Sequence, residues 1–333
     1  MSSVEKAVAM ASRRYPVVAG VDGSDSALQA VRWAAGDAVR RDLPLRLVYA
    51  CVPPGHDYPN LEVTAAEVRD AMWETGAKRL RAATEAARTV ASSLVVESEI
   101  RPGDPRVVLV DESRRAAVTV LGSRGLNGIG RLLLGSSGLA VAMRGHCPLV
   151  VVRGDRARSG PVLVGVDDWA RSAAAVRFAF QEASALGASV TALKTWHDFG
   201  PVDGRSAAPA GPATRHEVLR RELEAEMSAV AAGFPEVSFD CLVVRGRPGR
   251  VLLEYGERAG LVVVGSRGRG AFGGLLLGSV GQNLTGHASY PVAVVRSEAG
   301  AETTGRQDEG RASVRSGRET TLEGVSADRG ERR

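Results

Sequence analysis

Short, nearly continuous apolar runs alternate along the chain with amphipathic stretches of helical period. Valine-rich runs of this kind are typical of parallel strands that are covered by helices on both faces. The ten predicted strands are PVVAGV (16–21), LRLVYA (45–50), LVVESEI (94–100), AVTVLG (117–122), PLVVV (148–152), PVLVGV (161–166), SVTALKT (189–195), SFDCLVV (238–244), GLVVVG (260–265) and PVAVV (291–295). Helices are predicted at 26–41, near 62–92, at 105–115 and at 136–144, with counterparts in the second half.

The two halves of the chain repeat each other. YPVVAGVDGSDSALQAVRWAA (15–35) matches GPVLVGVDDWARSAAAVRFAF (160–180), and CPLVVVR (147–153) matches YPVAVVR (290–296). A unit of about 140 residues has the size of a whole domain, so the repeat indicates a tandem duplication. We therefore predict an α/β fold of two open, doubly wound, five-stranded parallel-sheet domains at 14–153 and 159–297, joined by a linker at 155–159.

Composition sets limits on the environment and on the partners. The 333 residues are 44% hydrophobic, carry a net charge of +5 and contain three isolated cysteines. Basic and acidic residues are interspersed without a basic patch, which disfavours nucleic-acid binding. The sequence has no apolar run of 18 residues and no proper signal-peptide core, so we expect a cytoplasmic protein that does not enter membranes. Residues 298–333 are charged and lack aromatics, and we expect a disordered tail there.

A glycine pattern occurs twice, as GSRGLNGIGRLLLGSS (122–137) and GSRGRGAFGGLLLGSV (265–280). Each copy begins where a fourth strand ends, which faces the ligand crevice of an open α/β sheet. A phosphate chain there needs backbone N–H donors and no obstructing Cβ atom, and the pattern closes at a helix N-terminus that favours an anion. The alternative is that these are turn glycines followed by a serine cap, without a ligand.

In both halves, charged residues are predicted to lie in the same crevice as the glycine pattern. Asp22 and Asp167 follow the first strand of each half, where a carboxylate could accept hydrogen bonds from a ribose or an adenine amine. The alternative is that each is an N-cap or turn aspartate. Arg124 and Arg267 lie inside the glycine loops, where they could pair with phosphates or be solvated loop arginines.

These residues resemble the universal stress protein family, in its tandem, nucleotide-binding type. The signature G-x-x-G-x9-G-[ST] is matched twice, and the GVDGS start and the final P-[LV]-x-V-V-R strand support the resemblance. The resemblance implies the adenine nucleotide alpha-hydrolase-like fold with strand order 3-2-1-4-5. It also implies ATP, with or without Mg²⁺, at the ends of strands one, two and four, and a homodimer through the fifth strands.

The resemblance assigns nucleotide-binding residues in both halves. In the first half the positions are Gly20, Asp22, Ala50, Leu121, Gly122, Gly125, Gly135, Ser136 and Ser137. In the second half they are Gly165, Asp167, Thr195, Val264, Gly265, Gly268, Gly278, Ser279 and Val280.

The two copies depart from the family pattern at different places. Asp168 and Trp169 replace Gly23 and Ser24 in the second half, and Ala27 in the first half stands where the family usually has serine, as at Ser172. An added carboxylate and an indole near the second crevice predict that the first site binds more ATP than the second.

Residues of a dedicated catalytic centre do not stand out in the sequence. No G-x-x-x-x-G-K-[ST] loop occurs, and the five histidines are scattered. We therefore expect a nucleotide-dependent stress-response regulator with no catalytic residues and no resident metal. The alternatives are a slow ATPase or an adenylating enzyme of the same superfamily, or a nucleotide-free dimeric scaffold.

Overall fold

The computed structural model describes residues 15–54, 64–123, 134–153, 159–196, 212–266 and 277–296. The strands in these ranges are β1 (Val17–Gly20), β2 (Leu45–Cys51), β3 (Val96–Pro102), β4 (Val118–Gly122), β5 (Leu149–Val152), β6 (Val162–Val166), β7 (Val190–Trp196), β8 (Phe239–Arg245), β9 (Leu261–Gly265) and β10 (Val292–Val295). The helices are α1 (Asp25–Arg40), α2 (Ala65–Arg88), α3 (Pro105–Glu112), α4 (Ser136–Arg144), α5 (Trp169–Leu186), α6 (Pro212–Ala231), α7 (Pro248–Gly256) and α8 (Ser279–His287). A short 3-10 turn, Ser113–Arg115, follows α3.

All ten strands join one sheet, in the order β3-β2-β1-β4-β5-β10-β9-β6-β7-β8. Neighbouring strands within each half are parallel, and each half has the order 3-2-1-4-5 when read from its outer edge. The predicted α/β class and strand order are therefore confirmed. The halves meet at β5 and β10, which run antiparallel with Val151 opposite Val292.

The pairing of β5 with β10 corrects the expected mode of dimerisation. A homodimer through the fifth strands needs a free edge on those strands. In this chain β5 is hydrogen-bonded to β4 on one side and to β10 on the other, and β10 is bonded to β9 and β5. The interface that the resemblance places between two chains is formed here between the two halves of one chain.

The sheet is buried on both faces because successive strand residues point in opposite directions. Val17 and Ala19 belong to the core cluster that includes residues of α1, α2, α5 and α6, whereas Val18 belongs to the cluster that includes residues of α3, α4, α7 and α8. The helix that follows β1 and the helix that follows β4 therefore cover opposite faces. This reversal opens a crevice at the carboxyl ends of the two strands.

Local signals explain where several helices begin. The Ser24 hydroxyl accepts the N–H of Ala27 at 3.2 Å and caps α1. Thr64 and Glu67 form a reciprocal capping box at α2, and Asp104 caps α3 ahead of a proline at its first turn. Because each cap satisfies backbone N–H groups that lack a helical partner, these residues define the helix starts.

Some expectations fall outside the described ranges and stay predictions. These are the linker at 155–159 apart from its last residue, the tail at 298–333 and the domain limits themselves. None of the helices in the described part of the chain has the length and apolar character needed to cross a membrane.

Candidate functional site

The crevice of the first half lies where β1 and β4 end side by side. The two strands are parallel neighbours, with Ala19 opposite Val120. A Cβ atom at Gly20 would lie 2.5 Å from the Leu121 side chain, so the predicted pair is in contact. Ala50, one residue before the end of β2, packs beside the same apolar cluster as Leu121. The structure thus places Gly20 against Leu121, two of the positions that the resemblance assigns to the nucleotide, and Ala50 borders the apolar cluster that contains Leu121.

Gly122 has a packing role at the end of β4. A Cβ atom there would lie 2.6 Å from both the carbonyl carbon and the carbonyl oxygen of Ser26, at the start of α1. Backbone atoms cannot move aside as a flexible side chain can, so a residue with a side chain would displace the helix. The glycine at 122 is therefore explained by the fold alone, as the ligand-free alternative supposed.

Gly135 is not explained in that way. Its φ of −55° and ψ of 159° are open to any residue, and no described atom lies within 4 Å of the position of an added Cβ. It immediately precedes α4, and no side chain of the described residues is seen to cap that helix. Gly278 precedes α8 with nearly the same angles, −55° and 152°, again without a side-chain cap from the described part of the chain. Both helix N-termini can therefore offer backbone N–H groups to an anion.

The residues after each of these glycines remain accessible. Ser136 and Ser279 are exposed, and Ser137 and Val280 are partly buried. The leucine before each glycine anchors the helix, since a Cβ at Gly138 would lie 2.7 Å from the Leu134 side chain. Leu277 packs in the same way at 3.0 Å from the position of a Cβ at Gly281. The sequences LGSSG (134–138) and LGSVG (277–281) already carried this signal.

Asp22 serves as a turn residue in the described contacts. Its Oδ1 accepts the backbone N–H of Ser24 at 2.9 Å and the Ser24 hydroxyl at 2.7 Å. Gly23 between them has a φ of +89°, a left-handed value that favours glycine. The turn alternative therefore holds for Asp22, and its predicted contact with a ribose or an adenine stays a prediction. Arg124, Gly125, Arg267 and Gly268 lie outside the described residues.

Comparison with known proteins places this geometry in a family. The model of the universal stress protein family matches residues 14–153 and again 159–296. The chain belongs to the universal stress protein family. A universal stress protein of Mycolicibacterium smegmatis is 35% identical over 295 residues, which is 85% of this chain and 97% of that protein. Universal stress protein Rv2623 of Mycobacterium tuberculosis is 34% identical over 291 residues, 84% of this chain and 96% of its own length.

The fold agrees with a solved member of the same family. The crystal structure of a universal stress protein from Archaeoglobus fulgidus DSM 4304 matches with a TM-score of 0.62 at 18% identity. The match covers 85% of this chain and 99% of that one. At this identity the likeness supports the shared fold.

The second universal stress protein half holds its first loop differently. A Cβ atom added at Gly165 would meet the side chains of Leu252 and Val264, as one added at Gly20 would meet that of Leu121. The Asp167 N–H donates to the Ser172 hydroxyl at 3.1 Å, a contact that Ala27 cannot offer in the first half. Asp168 precedes α5 with a φ of −109° in place of the left-handed glycine, and its side chain does not cap the helix.

The ends of the second strands also differ between the halves. Trp196 ends β7 where Cys51 ends β2. Trp196 is 8% exposed, and its Nε1–H has no hydrogen-bond partner among the described residues. The guanidinium groups of Arg215 and Arg245 lie 5.8 and 5.9 Å from its ring centre. This bulk lies next to Thr195, one of the residues predicted for the second nucleotide site. The predicted obstruction at Trp169 is less direct, since that side chain packs partly against the core.

The side chains around the two crevices differ at residues that the sequence patterns did not identify. In the first half Arg79 of α2 lies beside Gly23, where an added Cβ would be 2.6 Å from its Nε. The Tyr49 hydroxyl accepts an Arg79 N–H at 3.1 Å, and the Arg79 guanidinium lies 5.5 Å from the centre of the Tyr49 ring. Counted back from β3 and β8, the equivalent of Arg79 is Glu222, and by position in β2 and β7 the equivalent of Tyr49 is Lys194. No motif marks α2, because this helix lies outside the matched segments of the repeat.

Acidic groups gather near the second crevice. Burial raises the pKa of Glu226 on α6, although the nearby Lys194 opposes the shift. The charges of Glu222 and Asp168 raise it further. The second crevice thus has carboxylates near it together with the amine of Lys194 and the guanidinium groups of Arg215 and Arg245. Charge alone therefore does not rank the two sites for an anion.

The three cysteines are free thiols in buried or partly buried positions. Burial raises the pKa of Cys147 to about 11 and that of Cys241 to about 11, and it also raises the pKa of Cys51. These thiols are therefore protonated at neutral pH and are weak nucleophiles.

Proposed function

We propose that this universal stress protein binds ATP and acts as a nucleotide-dependent stress-response regulator without dedicated catalysis. The observation that carries the proposal is Gly135, since neither its backbone angles nor its packing among the described residues requires a glycine. The described residues leave space in front of this helix N-terminus and give it no side-chain cap, which is what a phosphate group needs. The adenine would lie near Gly20, Ala50 and Leu121, and any Mg²⁺ would be held chiefly by the phosphates.

The cellular setting is part of the same proposal. Three free cysteines suit a reducing compartment, so we place the protein in the cytoplasm. A homodimer of this chain stays a prediction, and it would have to form through a surface other than β5 and β10. Sedimentation with and without ATP would establish whether nucleotide occupancy changes the assembly.

Replacement of Gly135 by valine is expected to weaken ATP binding by about tenfold or more while the fold is kept. The added side chain would occupy the phosphate position, and its Cβ meets no described atom of the chain. Binding is measured by calorimetry and by mass spectrometry of nucleotide released from the purified protein. Gly233→Val is the matched control, because the nearest atom to a Cβ there is a carbonyl oxygen at an ordinary 3.5 Å. Adenine nucleotide absent from the unmodified protein, even after incubation with ATP, would refute the proposed function.

The two sites are expected to differ in affinity. Gly135→Val should remove most of the bound ATP, and Gly278→Val should remove the smaller share. The physical reason is the bulk of the buried Trp196 beside Thr195 at the second crevice, where the first half has the smaller Cys51. Nucleotide retained per chain is counted for each variant. Equal losses would contradict the asymmetry.

A further inference from the structure

Two arginines cross from one half of the chain to the other. Arg153 follows β5, and its guanidinium donates to the carbonyl oxygens of Gly286 at 2.7 Å and Thr285 at 2.8 Å, in the last turn of α8. Arg296 follows β10 and donates to the carbonyl oxygen of Gly145, the C-cap residue directly after α4, at 2.8 Å. The two arginines are equivalent in the repeat, each being the last residue of P-[LV]-x-V-V-R.

The antiparallel pairing of β5 with β10 explains this exchange. Antiparallel neighbours place the carboxyl end of one strand beside the amino end of the other. The helix before β10 is α8, so its C-terminus lies beside the end of β5. By the same symmetry the C-terminus of α4 lies beside the end of β10. Each fifth-strand arginine therefore reaches the helix of the opposite half.

These contacts act on the helices that begin at the candidate phosphate positions. The last carbonyl groups of a helix lack helical partners and carry the negative end of the helix dipole, so a guanidinium there satisfies and stabilises them. Both arginines are partly buried, which limits screening by solvent. Since α4 and α8 are nine residues long, a contact at one end constrains the position of the other end.

Each arginine is also next to the glycine loop of its own half. The Val152 carbonyl accepts the N–H of Ser123, the second residue of the first GSRG sequence, at 3.2 Å. The Val295 carbonyl accepts the N–H of Ser266 in the second copy at 2.7 Å. The start of each loop is thus bonded to the residue before the arginine that holds the helix of the other half.

We propose that Arg296 positions the α4 N-terminus for the phosphates of the first site, and that Arg153 positions the α8 N-terminus for the second. Each site is then completed by an arginine from the opposite half. The inference rests on the proposed function, since it concerns how that site is held, and the arginines themselves are positioning residues that contact no nucleotide.

Photolabelling of the full chain with azido-ATP, competed by increasing ATP, tests the inference. Labelled peptides from residues 15–153 and 159–296 report the two sites separately. Arg296→Met is expected to weaken ATP competition at the first site about tenfold and to leave the second site within twofold. Arg153→Met should do the reverse. The two variants are matched controls, because a general loss of stability would affect both sites in each of them.

Lysine variants keep the test valid where a methionine variant folds poorly. Arg296→Lys and Arg153→Lys retain a cation at the helix end but lose the forked donor geometry, so the same crossed pattern is expected at about threefold. An arginine variant that weakens the site of its own half as much as the opposite site, or neither site, overturns the inference. No ATP-competed labelling of the unmodified chain in either half would instead overturn the proposed function.

Discussion

Replacement of Arg41 by methionine is expected to lower the free energy of unfolding by about 3–5 kcal/mol. Arg41 is the C-cap residue directly after α1. Its guanidinium donates hydrogen bonds to two fully buried carboxylates, Asp37 of α1 and Glu182 of α5 in the other half. It also lies 5.6 Å from the ring centre of Phe178. Methionine fills similar space but leaves two buried acids without their shared cation.

Arg40 provides the control within the same helix. Its side chain is 31% exposed, and its Nη2 lies 3.6 Å from Asp37. A pair of this kind contributes about 1 kcal/mol or less, so Arg40→Met should be nearly neutral. Urea unfolding of both variants at neutral pH measures the difference. Similar losses for Arg40→Met and Arg41→Met would show that the buried cluster has no special role in joining the halves.

Hydrophobic patterning predicted most element limits because most strands are buried on both faces. The strand predicted at 45–50 spans Leu45–Cys51 in the structure, and the helix predicted at 136–144 has those bounds. The third strand was placed two residues early, at 94–100, and lies at Val96–Pro102. It is an edge strand whose middle residues, Glu97 to Glu99, are exposed, so apolarity does not mark it. Its register against β2 sets its limits instead.

The site could be predicted only in part. The repeat located both glycine patterns, but it could not tell which glycines the fold requires. Gly122 is required where β4 meets the backbone of α1, whereas no contact among the described residues requires a glycine at 135. That distinction depends on a contact between distant parts of the chain. Arg79 was missed for the same reason, since only the packing of α2 brings it to Gly23.

The pairing of the halves was also beyond the sequence patterns. Asp37 and Glu182 are 145 residues apart, the same offset that relates the first matched segments, yet they fall two residues beyond the segments that align clearly. Their meeting requires β5 to pair with β10 within one chain. The repeat predicted two similar domains, and the antiparallel junction decided which of their equivalent residues are in contact.

Equivalent carboxylates brought together in this way should make stability depend on pH. Burial, and then the charge of Asp37, raises the pKa of Glu182 from 4.5 to about 8, against the opposing charges of Arg41 and Arg40. Between these two pH values the folded chain holds a proton that the unfolded chain has released. The free energy of unfolding should therefore fall as pH rises from about 4.5 to about 8, by up to about 1.4 kcal/mol per pH unit.

Glu182→Gln should abolish most of this dependence, because glutamine has the shape of the protonated acid and cannot ionise. The variant and the unmodified chain should be similar near pH 5, and the variant should be the more stable one at pH 8. Urea unfolding across that range measures the slope, and Glu85→Gln, which removes an exposed acid, should leave the slope unchanged. Parallel curves for Glu182→Gln and the unmodified chain would mean that Glu182 is ionised in the folded protein. In that case Arg41 would be neutralising both carboxylates, and the large effect expected for Arg41→Met would have to come from two buried charges rather than one.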